Sequence, residues 1–446
     1  MKPRIAIHWF RRDLRLEDNH GLFRALSEHG EVLPLFIFDT EILDRLEDKH
    51  DRRVDLIHRV LQDLQGRLEQ RGSTLVVEHG RPQDVWKRLL DRFEVTAVTA
   101  NHDHEPYAQQ RDNAVGGLLA AHGIPFRTFK DISIFERNEV VKDDGGPYTV
   151  YTPYMRKWKS LFDPAMARAF PSEVHLDRLH RTGHAAMPAL EQLGFLPTDL
   201  AIPPLHVSDE LLRHYEHTRD LPAVEGTSRM STHLRFGTVS VRALVRRSLA
   251  LSPKYLNELI WREFFMQVLW HFPSTHQAFK PAYDRIAWRH DEVDLQRWSE
   301  GRTGYPLVDA GMRELNATGL MHNRVRMVVA SFLTKHLLLD WRLGEAVFAA
   351  RLLDFELSSN NGGWQWASGS GCDAAPYFRV FNPTLQLQRF DPSLTYVKRW
   401  VKEYGTSNYP RPMVVHEEAR ARALATYKAA LEGGAKAGRP QPQLFD

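Results

Sequence analysis

The feature that most restricts this chain is the alternation in its first third between short, almost wholly apolar runs and amphipathic stretches. Runs at 5–10, 32–38, 74–78 and 95–99 are rich in Val, Ile, Leu and Phe, as strands covered by helices on both faces require. Between the second and third runs, Val54, Ile57, Val60, Leu61, Leu64 and Leu68 recur at three and four residues, the period of one helix face. Strand, helix and strand in that order make a βαβ crossover. The pattern predicts an α/β domain with a parallel, doubly wound, Rossmann-like sheet over residues 1–134. Such a scaffold specifies no chemistry of its own.

From 135 to 204 the alternation breaks at Gly145-Gly146-Pro147, Pro153 and Pro171, which reads as an interdomain connector. Residues 205–430 turn helical, with apolar-periodic segments at 257–272, 305–316 and 323–339, so an all-α domain is expected there. Residues 431–446 hold little to bury and read as a flexible tail. A length of 446 residues suits two or three domains, and 43% hydrophobic with 26% charged residues excludes collagen-like, coiled-coil and wholly disordered chains.

Several function classes drop out on composition. The single cysteine, Cys372, excludes an intrachain disulfide and every multi-cysteine metal site, and fits a reducing, cytoplasmic setting. The run at 5–10 is too short for a signal peptide and ends in Arg11-Arg12. The apolar stretches at 259–272 and 328–339 are cut by Arg262, Glu263, Lys335 and His336, so no membrane span is expected. No Gly-Lys pair occurs, which removes the phosphate loop. Gly369 and Gly371 do not extend to a dinucleotide fingerprint, and without a His-Glu-x-x-His motif no metal is expected. A net charge of +3 permits a polyanionic partner without demanding one.

The decisive stretch is Asn360-Asn361-Gly362-Gly363-Trp364-Gln365-Trp366, which leads through Asp373-Ala374-Ala375-Pro376-Tyr377-Phe378-Arg379 to Phe381-Asn382-Pro383. Four further motifs accompany it: Phe10-Arg11-Arg12-Asp13-Leu14-Arg15, Glu225-Gly226-Thr227-Ser228-Arg229, Asn257-Glu258-Leu259-Ile260-Trp261-Arg262-Glu263 and Met321-His322-Asn323-Arg324. In this order, from about residue 4 to 430, they resemble the DNA photolyase and cryptochrome family. The resemblance implies an N-terminal α/β domain and a C-terminal helical domain holding FAD.

For FAD, the resemblance implies that Tyr215 and the run Thr227, Ser228, Arg229, Met230 and Ser231 clamp the phosphates. It adds Glu258, Arg262, Asn323, Arg326, Asp354 and Glu356 as further contacts, with Arg326 and Asp354 flanking the flavin and Asn360 facing its N5. Ser358 and Ser359 stand where relatives carry alanine, a departure that either retunes the flavin or is inert. Trp288, Trp341 and Trp364 match the family's electron relay, a task for which the readily oxidised indole is suited. Alone, each would read as a core residue.

Glu258, Trp261 and Arg262 fall at i, i+3 and i+4, hence on one helix face, while Asn323 and Met327 share another. With Trp366 they resemble the family's pocket for a flipped-out cyclobutane pyrimidine dimer, and Arg219 and Arg324 match residues that grip the adjoining phosphates. Members that repair the (6-4) photoproduct carry histidine at the positions of Asn323 and Met327, so the dimer is the implied lesion. Retention of Trp366 implies a duplex substrate. The implied activity is light-dependent repair of pyrimidine dimers in double-stranded DNA, a carbon–carbon lyase reaction, by a cytoplasmic monomer that joins the nucleoid when bound to DNA. The alternative is a cryptochrome-type blue-light photoreceptor. Phe36, Asp39, Arg53, Asp103 and Glu105 resemble an antenna pocket. It favours 8-hydroxy-5-deazaflavin, with methenyltetrahydrofolate or FMN as alternatives.

Overall fold

The computed structural model describes residues 2–432, so most of the segment read as a tail lies outside the described residues. The chain folds as two compact units. One comprises the residues up to Tyr148 with Thr152–Glu216 and Ser228–His271; the other comprises Thr149–Tyr151, His217–Thr227 and the residues from Phe272 on.

The first unit is built on five parallel strands: β1 (Arg4–Phe10), β2 (Val32–Asp39), β3 (Val76–Gly80), β4 (Glu94–Asn101) and β5 (Phe126–Phe129). Their spatial order is β3-β2-β1-β4-β5. β1 lies in the middle, with Trp9 opposite Leu35 on one side and Ala100 on the other. Its burial is complete after Arg4, which explains why Ile5 to Phe10 read as a nearly continuous apolar run. On one face, Ile5, Ile7, Trp9, Leu33 and Leu35 pack with Val85, Trp86 and Leu89 of the helix Pro82–Arg92 and with Val115 and Leu119 of the helix Pro106–Ala121. The helix His20–Glu28 packs against β1 and β4, and Gly21 lies so near His8 and Asn101 that a Cβ there would come within 2.9 Å of both.

The expected βαβ helix is present as Arg52–Glu69, though its buried face differs from the one periodicity suggested. Ile57 and Val60 are only half-buried, whereas Asp55, His58 and Gln65 turn inward. Each of the three is satisfied by the stretch read as a connector: Asp55 accepts from Thr198 N at 2.8 Å, His58 meets Pro188 O at 2.9 Å and Gln65 donates to Ala185 O at 2.8 Å. Also in this unit are the helices Met230–Phe236, Val241–Leu251 and Pro253–His271.

The second unit is helical. Pro306–Thr318, Asn323–Ser331, Trp341–Arg351 and Leu357–Ser368 surround a core of Trp298, Val308, Met312, Val325, Val329, Phe332, Leu333, Trp341, Phe348 and Trp364. The long segment expected at 323–339 ends its regular helix at Ser331 and passes into a wider turn, Phe332–His336. Such turns shift the side-chain register. Among the described residues no helix is long and apolar enough to cross a membrane.

Candidate functional site

In the first unit, the helix Pro253–His271 sorts its residues by face. Tyr255, Leu256, Leu259, Ile260, Glu263 and Phe264 are buried, while Asn257, Glu258, Trp261, Arg262 and Phe265 form a half-buried stripe. Glu258, Trp261 and Arg262 therefore share one face, as their spacing predicts. The Trp261 ring leans on Phe264 edge-on at 5.6 Å and on Phe265 at 5.5 Å. Arg262 donates to Ile132 O at 2.6 Å and to Leu234 O at 3.2 Å.

On the buried side of that helix, Tyr255 joins two expected residues. Its hydroxyl lies 2.9 Å from Ser228 Oγ and its ring meets Tyr215 edge-on at 5.1 Å. Ser228 Oγ also accepts from Met230 N at 3.3 Å. Arg229 holds a left-handed φ of 53° at the start of the helix Met230–Phe236, and Arg229 and Ser231 are exposed. Tyr215, Ser228 and Met230 are thus brought together; Tyr255, which sequence reasoning missed, links them. Its signal was its place three residues before Glu258, one turn away along the same helix.

The antenna candidates also lie in this unit. Phe36 and Asp39 are buried at the end of β2. Asp39 accepts from Tyr107 Oη at 2.6 Å and from Glu41 N at 3.0 Å, and burial raises its carboxyl above the ordinary value despite these donors. Asp103 pairs with Arg12 at 2.9 Å; although burial opposes ionisation, the guanidinium holds its carboxyl far below the usual range. Glu105 pairs with Arg12 at 3.3 Å and Arg235 at 3.4 Å, while Arg53 pairs with Asp51.

In the second unit, Arg326 donates from Nη2 to both carboxylate oxygens of buried Asp354, at 2.9 and 3.1 Å, and from Nε to Met321 O at 2.8 Å. The Arg326 side chain keeps 27% of its surface exposed. Glu356 is buried and takes a hydrogen bond from Ser359 Oγ at 3.3 Å. Ser358 is buried. Asn360 donates from Nδ2 to Glu345 Oε1 at 2.7 Å and to Glu345 O at 3.2 Å. Burial raises the Glu345 carboxyl above its ordinary value, partly offset by that bond from Asn360.

Asn323 is exposed at the first position of the helix Asn323–Ser331, with half-buried Met327 one turn on along the same face. His322 caps this helix by accepting from Arg324 N at 3.2 Å. Burial pushes its ring down to about 4, helped by the charges of Arg324, Arg326 and Arg219 and opposed by Asp220, so it is neutral at pH 7. Arg324 pairs with Asp220 at 2.8 Å and lies over the Phe390 ring at 4.5 Å; Arg219 lies 3.9 Å from the same carboxylate. Thr227 is half-buried beside Gly226, where a Cβ would come within 2.4 Å of the Thr218 side chain. That contact explains the glycine in the Glu225-Gly226-Thr227 motif.

Trp341 and Trp364 are core residues, and Trp288 and Trp366 are half-buried against the same cluster. Trp364 meets Trp298 edge-on at 6.0 Å and Phe348 at 5.0 Å. Trp288 meets Tyr427 edge-on at 5.8 Å.

Two family models match this chain: one described as DNA photolyase over residues 6–173, the other as the FAD binding domain of DNA photolyase over residues 255–407. The chain belongs to the DNA photolyase family. A deoxyribodipyrimidine photo-lyase of Halobacterium salinarum is 35% identical over 96% of this chain and 99% of its own length. The crystal structure of a bacterial class III photolyase from Agrobacterium tumefaciens is 34% identical, with a TM-score of 0.87 over 97% of this chain and 98% of that one. An archaeal photolyase from Sulfolobus tokodaii, solved with two FAD molecules, is 31% identical, with a TM-score of 0.79 over 95% of this chain and 99% of that one. Membership makes FAD the cofactor, and the helical region of this photolyase-family chain is its FAD-binding domain.

Proposed function

We propose that this chain is a deoxyribodipyrimidine photolyase that repairs cyclobutane pyrimidine dimers in double-stranded DNA. The observation that carries the reading is the stripe Glu258, Trp261 and Arg262, left half-buried on a helix whose other side is core. An acid, an indole and a guanidinium on one half-buried face combine polar groups and a flat ring, the chemistry that a base's polar edges and flat rings call for.

The residues present fit FAD. Asn360 is 8% exposed and its Oδ1 has no partner among the described residues, so a polar atom is left for a ligand. Arg326, anchored by Asp354, retains open surface for a ribose, phosphate or ring oxygen. Ser228, Thr227, Ser231, Tyr215 and the backbone amides around Arg229 and Met230 are assigned to the phosphates, as uncharged donors suited to an anion in a shielded site. Glu258, Arg262, Asn323 and Glu356 are assigned to the remaining polar edges. The chemistry FAD supplies when bound is donation of an electron, in its reduced state under light, to the dimer, whose two cyclobutane carbon–carbon bonds split before the electron returns.

For the dimer, Trp261 and Trp366 offer ring faces, each stacked base being worth about 1–3 kcal/mol, and Glu258 accepts from a base N–H. Met327 and Asn323 supply an apolar and an amide contact. Arg219 and Arg324 bind backbone phosphates, and their affinity falls with added salt. Trp364, Trp341 and Trp288 carry an electron inward, and the oxidisable indoles lie within or against one aromatic core. The protein acts as a monomer in the cytoplasm. Phe36, Asp39, Arg53, Asp103 and Glu105 would hold a second flat chromophore, with 8-hydroxy-5-deazaflavin favoured, the acids accepting from its ring N–H groups.

The test is equilibrium binding of FAD-loaded protein to a duplex with and without one thymine dimer. Wild type prefers the damaged duplex, and Trp261→Ala and Trp366→Ala each cut that preference at least tenfold. Equal binding of both duplexes by wild type contradicts the assignment.

A further inference from the structure

Two contacts fix how Asn360 is turned. The helices Trp341–Arg351 and Leu357–Ser368 approach so closely that a Cβ on Gly344 would lie 2.1 Å from the Trp364 ring. Asn360 and Trp364 are four residues apart, one turn along the same face. The approach that seats Trp364 on Gly344 therefore brings Asn360 onto the next residue, Glu345. Asn360 Nδ2 lies 2.7 Å from Glu345 Oε1 and 3.2 Å from Glu345 O. A backbone carbonyl accepts only, so the group facing it is the NH2. Both amide hydrogens are then consumed by Glu345, and Asn360 presents an acceptor alone.

We infer that Glu345 is a positioning residue that locks the Asn360 amide with its carbonyl oxygen outward, so that the bound flavin is favoured in the forms that carry hydrogen on N5. The inference rests on the reading that Asn360 faces N5. An unanchored asparagine donates to bare N5 or accepts from N5–H as required; an anchored one accepts only, and sets its Oδ1 against the N5 lone pair of oxidised FAD. Glu345 thereby biases the site toward reduced FAD, the state the repair reaction uses.

The experiment is the two-electron midpoint potential of FAD in the FAD-loaded protein, measured by spectroelectrochemistry. Glu345→Ala removes the Oε1 acceptor, leaving the amide only its longer bond to the backbone carbonyl at that position, and shifts the ratio of reduced to oxidised FAD affinity about tenfold toward oxidised, the size of one lost buried hydrogen bond; this is a potential lower by about 30 mV. Glu345→Gln retains the Oε1 acceptor and stays within about twofold of wild type. Asn360→Ala shifts in the same direction, and the double variant matches Asn360→Ala. A shift in Asn360→Ala with none in Glu345→Ala overturns the positioning role while leaving Asn360 at the ring. No shift in Asn360→Ala overturns the placement of Asn360 at N5, and the inference with it. Equal shifts in Glu345→Ala and Glu345→Gln trace the effect to charge and also overturn the inference.

Discussion

The two units treat buried charge in opposite ways. In the sheet unit the ions close on one another. Asp131, with no exposed side-chain surface, accepts from Arg15 at 2.7 Å and Arg242 at 2.8 Å, and Arg242 also grips Asp18 at 2.8 Å. Those guanidiniums drive the Asp131 carboxyl far below its usual range against the pull of burial. In the helical unit the interior is aromatic. Its buried cation, Lys335, has no carboxylate partner among the described residues; its Nζ donates to Ser368 O at 2.9 Å and lies 3.6 Å from the centre of the Tyr427 ring. Ion pairs there stand at the rim, as Arg326 and Arg324 show with 27% and 19% of their side chains exposed. A network that closes on itself is architecture. A pair with one open end is available to a ligand.

The strongest way to break this contrast is to open the closed network. Asp131→Ala leaves buried Arg15 without a carboxylate and Arg242 with Asp18 alone, and costs about 3–5 kcal/mol of stability by urea unfolding; a loss below about 1 kcal/mol would erase the distinction. The matching change at the rim, Asp354→Ala, removes the anchor of Arg326. Its effect falls on ligand binding, weakening FAD retention by about 2–3 kcal/mol in an equilibrium titration, with a smaller change in unfolding.

Acidity sharpens the comparison. In the sheet unit, Glu263 accepts from Ile134 N, Phe135 N and Trp158 Nε1, yet burial outweighs these donors and pushes its carboxyl up from 4.5 to about 7. A raised acid contributes stability that is complete below pH 4.5 and lost as pH rises through 7. Lys335 is pushed down from 10.5 to about 7 by burial, so its contribution is complete above pH 10.5 and lost as pH falls through 7. Unfolding free energies across pH 5–10 therefore carry opposite slopes, each at most about 1.4 kcal/mol per pH unit. Glu263→Gln flattens the acid side and Lys335→Met the alkaline side. The smallest effect is expected for Arg53→Ala, which breaks a pair with neighbouring Asp51 and changes unfolding by less than about 1 kcal/mol.

Legibility in the sequence followed the same divide. β1, β2 and β4 were readable because both their faces are largely buried, which leaves short runs dominated by apolar residues. The third strand runs Val76–Gly80, two residues beyond the expected run, because Thr74 is engaged with Gln65 instead. β5 was missed: four residues at an edge, Phe126–Phe129, with one exposed arginine, carry too short a pattern. The inward turn of Asp55, His58 and Gln65 was invisible because their partners lie more than a hundred residues away or in irregular chain. In the helical unit, periodicity located helices but no site. Only the ordered motifs singled out Arg326, Asp354, Asn360 and the tryptophans. Glu345 escaped because its partner is reached through a close helix approach that Gly344 permits, and no spacing encodes that approach.

The most direct test of the account is repair of a duplex oligonucleotide carrying one thymine dimer by the reduced, FAD-loaded protein, in blue light and in darkness. The account predicts conversion of the dimer to two thymines in light only, with the oligonucleotide otherwise unchanged. A folded, FAD-loaded protein that binds this duplex but leaves the dimer intact in light would contradict it.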